Sequence, residues 1–179
     1  MKLILIRHTT TPWNREGRVQ GRTDIELDEG GRHEAGELAK VLAPLGIERI
    51  ISSDLKRASQ TAEIIARDLK LRHVLDERLR ECSFGELEGT TKDEMIVQHG
   101  EVVLKDLENN HHSYDFSRFG GEKHAEVLAR HKNLADEHAK ITPDATILFV
   151  GHGRGLNTLL ASLGSFPNLQ RGEYRVLEI

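Results

Sequence analysis

The sequence predicts an α/β protein, a three-layer sandwich in which a mostly parallel sheet carries helices on both faces. Two apolar runs, Leu3–Ile6 and the one within Thr146–Val150, are too short for helices and lack the polar alternation of a half-exposed strand. They read as strands covered on both faces. Stretches with apolar residues at helical spacing alternate with these strands, which is the pattern of a sheet packed between helical layers. Each run also ends in a histidine, His8 and His152, and open α/β sheets bind ligands beyond the carboxyl ends of their strands.

Taken in order, the first strand gives way to a stretch, 9–27, without periodicity and rich in Thr, Gly and Pro. A long ordered loop is expected there, and such loops inside compact domains are usually functional. Asp28 is placed to cap a helix whose apolar positions Ala35, Leu38, Ala39, Leu42 and Leu45 run to Gly46. Arg49–Ser52 is a second strand. Ser52, Ser53 and Asp54 are candidate caps for the next helix, whose stripe Leu55, Ala58, Ala62, Ile65, Leu69 is the clearest in the chain. Arg57 lies off that stripe, either solvated or, if the helix starts at a strand's carboxyl end, pointing into the same crevice as Arg7 and His8.

A short strand is expected over 72–75 and irregular chain over 76–90. Thr91 and Glu94 form a capping box for a helix towards Gly100. The polar segment 101–122 reads as a mobile excursion, and 90–122 as an insertion that covers the site and sets specificity. A helix from about Glu122 to Ile141, the strand Thr146–Val150, a helix over Leu156–Leu163 and a closing strand Tyr174–Ile179 complete one domain, 1–179.

Composition narrows the function. A formal net charge of −4 with no Lys/Arg run argues against nucleic acid as a partner. No apolar stretch approaches the length of a membrane span, so no membrane partner is expected, and the lone Cys82 excludes a disulfide framework and points to a reducing, cytoplasmic compartment. The oligomeric state is not encoded in any pattern of this kind. Two histidines and two arginines at neighbouring strand ends form an electropositive pocket suited to a small phosphate ester. Guanidinium groups match phosphate oxygens bidentately, and a neutral imidazole is a competent nucleophile. Glu81, Glu86 and Glu88 are the carboxylates available for proton transfer.

The segments LIRHTTTPWN, SSDLKRASQTA, ECSFGELEG and VGHG, in this order, resemble the histidine phosphatase, or phosphoglycerate mutase-like, superfamily across essentially the whole chain. The resemblance implies that His8 is phosphorylated and that Arg7, Arg57 and His152 clamp the phosphate. It further implies that Asn14, Gln20, Gly21, Thr23 and Gly153 line the pocket, that Glu81 is the proton donor, and that no metal or other cofactor takes part. The wording FGELEG and the short chain look similar to α-ribazole phosphatases of cobalamin assembly and to broad bacterial phosphomonoesterases.

Two departures stand out. Thr9 occupies the place where the family usually has Gly, and Phe84 the place where the mutase branch typically has Tyr. Residues 90–122 contain only Arg118, without the mutase's paired arginines, which favours hydrolysis over transfer. A cofactor-dependent phosphoglycerate mutase and a non-catalytic phosphate-binding module are the alternatives. His124, His131 and His138 share a helix face but are spaced about 10 Å apart, too far to hold one ion. Cys82 is expected to be a buried, inert thiol.

Overall fold

The computed structural model describes residues 1–109 and 111–179. Five strands, β1 (Lys2–Arg7), β2 (Arg49–Ser52), β3 (His73–Leu75), β4 (Thr146–Gly151) and β5 (Tyr174–Glu178), form one sheet in the order β3-β2-β4-β1-β5. All pairings are parallel except β1 with β5. The predicted sandwich is therefore the fold observed.

Strand alternation divides the core. Ile4, Ile6, Ile50, Leu148 and Val150 face α2 (Glu29–Leu42) and α3 (Lys56–Leu69). Leu3, Leu5, Ile51, Ile147 and Phe149 face α6 (His124–Ile141) and α7 (Gly153–Ser162). Because β1 leads to the α2 face and β4 to the α7 face, a crevice opens between these neighbouring strands at their carboxyl ends. This is the switch point at which open α/β sheets bind ligands.

Local structure departs from expectation where tertiary contacts outcompete local signals. The 9–27 loop contains a short helix, α1 (Pro12–Glu16), closed by a Thr11/Asn14 capping box. The N-cap of α3 is Leu55, without a side-chain cap, because Asp54 is drawn into an ion pair with Arg80 at 2.5 Å. Helix α7 begins at Gly153, three residues before the apolar stripe, and α6 begins at His124. The stretch 76–90 holds two single turns of 3-10 helix.

The 101–122 segment is not the loose excursion expected from its polarity. With α4 (Lys92–His99) and α5 (Leu104–Glu108) it surrounds a third apolar cluster built from Phe84, Met95, Val103, Tyr114, Phe116 and Phe119. Its few aromatic residues carry the packing, and a count of polar residues does not register them.

Asp28 caps α2 as expected, accepting from Gly31 N at 2.7 Å. Gly31 lets the first turn of α2 press onto the loop after His8, since a Cβ there would stand 2.0 Å from the Thr10 carbonyl oxygen. Gly31→Ala is expected to destabilise the fold by about 1–3 kcal/mol through this overpacking. Denaturant midpoints at unchanged slope measure the loss.

Candidate active site

The β1–β4 register places the two histidines. Arg7 pairs with Gly151, so His8 and His152 leave adjacent strand ends side by side, with ring centroids 5.2 Å apart. His8 is 3% exposed. Its Nδ1 lies 2.7 Å from the Thr9 carbonyl oxygen, which can only accept, so the proton resides on Nδ1 and the Nε2 lone pair is free. Burial, reinforced by the charges of Arg57 and Arg7, holds the His8 imidazole well below its ordinary pKa and therefore neutral.

Thr9 causes no backbone strain. Positive φ among the described non-glycine residues is confined to Lys70 and Ser113. Its hydroxyl donates to Gly31 O at 2.8 Å, and its N–H donates to Thr61 Oγ1 at 3.3 Å. Thr9 thus ties the loop after His8 to α2 and α3.

Arg57, from the first turn of α3, is fully buried, so the crevice reading of this residue holds and the solvated one does not. Its Nε donates to His152 Nδ1 at 3.1 Å, and its terminal nitrogens donate to Thr23 O at 2.9 Å and Gly21 O at 2.5 Å. Desolvation lowers its pKa to about 10, which leaves it charged at neutral pH. Because His152 Nδ1 accepts from Arg57, the His152 proton sits on Nε2, a buried donor with no partner. Desolvation, then the Arg57 charge, keeps this second imidazole neutral as well. Arg7 lies against Gly153, where a Cβ would stand 2.8 Å from Cζ, and its Nε is likewise buried without a partner. A glycine opens α7 because a guanidinium fills the space.

Glu81 is separated from its neighbours by geometry. It lines the cleft, its Oε1 accepting from Cys82 N at 2.9 Å and Gly155 N at 3.0 Å, and its Oε2 from Arg154 N at 3.2 Å. Its carboxylate therefore rests on the amino end of α7, beside His152. Glu86 is exposed. Glu88 is consumed in holding the loop at Arg22 and Thr23, accepting from Arg22 N at 3.1 Å, Thr23 N at 2.9 Å and Thr23 Oγ1 at 2.7 Å.

The cleft, of about 270 Å³, is also lined by Asn14, Gln20, Gly21 and Gly153. Asn14 Oδ1 accepts from Thr11 N at 3.1 Å, which leaves its amide N–H groups as the unused end. Thr23 does not line the cleft; its carbonyl acts on it through Arg57. His152 is fully buried behind the lining, alongside His8.

Of the other long side chains of the loop after β1, Arg18 lines the cleft, Arg22 pairs with Glu122 at 2.8 Å, and Trp13 packs against Gly89. No described residue of 90–122 lines the cleft. Sequence reasoning missed Arg154 and Asn157, which do line it. The signal was their position in the first turns after the VGHG motif. Arg154 is sandwiched among Phe84, Tyr114 and Phe116, and donates to the carbonyls of Asp106, Leu107 and Asn109. It thereby ties the helix that holds Glu81 to the third apolar cluster. Cys82 is buried, and burial raises its thiol pKa, as an inert role requires. His131 is fully buried, and among the described residues no group of three or more His, Cys, Asp or Glu is arranged to hold a metal.

Fold and cleft together define an α/β protein with two neutral histidines, one buried arginine and one half-buried arginine converging at the switch point of its sheet. The chain belongs to the histidine phosphatase superfamily (branch 1), whose pattern it matches over residues 3–176. It is 35% identical over 167 residues to the probable phosphoglycerate mutase GpmB of Cronobacter sakazakii, covering 93% of this chain and 76% of that protein. Among solved structures it resembles a mycobacterial glucosyl-3-phosphoglycerate phosphatase complexed with VO3, with a TM-score of 0.89 and 29% identity over 98% of this chain and 90% of the other. YhfR of Bacillus stearothermophilus superposes with a TM-score of 0.87 at 32% identity, covering 99% of this chain and 91% of that one. Among the described residues, no helix is long and apolar enough to cross a membrane.

Proposed function

We propose that this protein hydrolyses small phosphate monoesters through a phosphohistidine on His8, without a metal. The observation that carries this reading is the pair of opposed tautomers. His8 has its Nε2 lone pair free while His152 presents an Nε2 proton, each set by a hydrogen bond to the other ring nitrogen. One ring is thus a nucleophile and its neighbour a donor to a phosphoryl oxygen.

In this mechanism His8 Nε2 forms a bond to phosphorus as the ester P–O bond breaks. Glu81 serves as the general acid that protonates the departing oxygen. The resulting carboxylate then takes a proton from water, whose oxygen attacks phosphorus while the P–N bond breaks, regenerating His8 and releasing phosphate. Arg7, Arg57 and the His152 Nε2–H stabilise the charge on the equatorial oxygens in both steps. Asn14, Gln20 and Gly21 complete the phosphate cradle, with Gly153 admitting Arg7.

The mutase reading has the similarity to GpmB in its favour. Against it, 90–122 contributes no cationic clamp to the cleft. α-Ribazole phosphate is one candidate ester on the sequence resemblance alone.

A panel of phosphomonoesters including α-ribazole phosphate and phosphoglycerate, assayed with chelator present, separates these readings. The expected result is release of inorganic phosphate, chelator-resistant, with an acid-labile phosphoenzyme trapped on quenching. Interconversion of phosphoglycerates without phosphate release would establish the mutase instead. Binding of vanadate with neither activity would leave a phosphate-binding module.

A further inference from the structure

The cleft holds a polar group that the hydrolytic steps do not use. Asn157 lies on α7, one turn beyond His152, is 6% exposed and lines the cleft. Its Oδ1 accepts from Leu169 N at 2.8 Å. A backbone N–H can only donate, so this bond fixes the orientation of the carboxamide and leaves Nδ2 as a donor without a partner among the described residues. A donor that opens onto a cleft from a largely buried side chain anchored from behind is a built recognition element, because its orientation is fixed before an acceptor arrives.

The charges around it indicate what that acceptor is. Arg18 is paired with Glu16 and Glu94, both at 3.0 Å. The terminal nitrogens of Arg154 are spent on the Asp106, Leu107 and Asn109 carbonyls, and its Nε is sealed from solvent. Arg171, bridged to Arg7 through the backbone and near enough for its charge to act on His8, lines a neighbouring groove with His33 and Glu34. Among the residues that line the cleft itself, then, no guanidinium beyond Arg7 and Arg57 is uncommitted. The cleft offers carboxamides, with Asn168 and Gln170 on the rim beside Asn157.

We infer that Asn157 is a specificity-determining residue that donates a hydrogen bond to an uncharged oxygen of the leaving group. The preferred substrates are phosphate monoesters of hydroxyl-rich alcohols such as sugars, not those of carboxylate-bearing alcohols. This inference rests on reading the cleft as a phosphomonoester site.

The test is equilibrium binding to the His8→Ala protein, which cannot turn ligand over, using inorganic phosphate, a hexose phosphate and phosphoglycerate. The hexose phosphate is expected to bind about tenfold more tightly than inorganic phosphate, and phosphoglycerate no more tightly than phosphate. Adding Asn157→Asp keeps the acceptor for Leu169 N but removes the donor. Its added charge opposes both phosphate groups alike, so the ratio of the two affinities isolates the donor and is expected to fall to about one. Asn157→Leu, with folding checked by its melting temperature, is expected to lower the ratio likewise. A ratio unchanged by Asn157→Asp, or phosphoglycerate as the tightest ligand of the parent, overturns the inference. The parent ranking decides the matter even where a variant is unstable. Failure of the hydrolytic reading looks different: wild type turns nothing over while the binding ratio still responds to Asn157.

Discussion

Replacing His8 by alanine is expected to lower phosphate release from any ester by at least about a thousandfold, the scale on which loss of a covalent nucleophile acts. The size of the effect follows from how completely the ring is committed. The Thr9 carbonyl holds its proton on Nδ1, burial and two guanidinium charges keep it neutral, and His152 beside it is tied to Arg57 and oriented as a donor. No other described side chain combines a free imidazole lone pair with this position over the arginines. Initial rates and trapping of the phosphoenzyme by an alkaline detergent quench measure the effect together. The alanine protein should yield no phosphoenzyme, while its affinity for inorganic phosphate should change far less, because Arg7 and Arg57 remain. Retention of a tenth or more of the wild-type rate would remove His8 from the role proposed for it. The acid limb of kcat/KM is expected below the ordinary histidine range, since both imidazoles stay neutral as the solution is acidified.

Acidification to about pH 5.5 should cost the free protein about 4 kcal/mol of stability relative to pH 7.5. His8, His131 and His152 are all fully enclosed, and desolvation lowers each of them, His131 to about 3. The unfolded chain takes up protons near the ordinary value of about 6.5, and the native state does not. Between those limits the unfolded state binds more protons, so stability is whole above pH 6.5 and lost as pH falls towards the depressed native values. Each histidine contributes about 1.4 kcal/mol for the first unit below 6.5, and this is a large share of a typical domain's 5–15 kcal/mol. Denaturant midpoints from pH 7.5 to 5.5 give the slope. His131→Leu is expected to flatten it by about a third, because His131 lies outside the cleft and its Nδ1 contacts only Val127 O at 2.9 Å and, more distantly, the Arg130 guanidinium at 3.4 Å among the described residues. A slope untouched by that substitution would show that the imidazole is protonated in the native state.

The sandwich was legible because its signals are local. Leu3–Ile6 and Ile147–Val150 are apolar without alternation, and the stripe of α3 repeats at helical spacing, so strand, helix and layering follow from short windows of chain. The site was legible for a different reason. Each motif sits where a strand ends or a helix begins, so His8, Arg57 and His152 converge once the sheet order is known, and Glu81 was named with them. Less legible were Asn157 and Arg154, ordinary polar residues in a helix, and the packed state of 101–122. The Leu169 N–H that orients Asn157 comes from a loop with no pattern of its own, and Arg154 lines the cleft only because Tyr114, Phe116 and the α5 carbonyls arrive around it from 38 to 48 residues away.

By itself, then, the sequence determined the class of fold, the family resemblance and most of the residues that converge on the cleft, because those depend on hydrophobic period and on chemistry concentrated at element ends. Only the tertiary structure decided which nitrogen of each histidine carries the proton and which of three glutamates rests against α7. It also decided which arginines are free and which are spent. Those properties belong to hydrogen bonds between residues such as Arg57 and His152, 95 positions apart, and to the burial that makes each bond costly to lose.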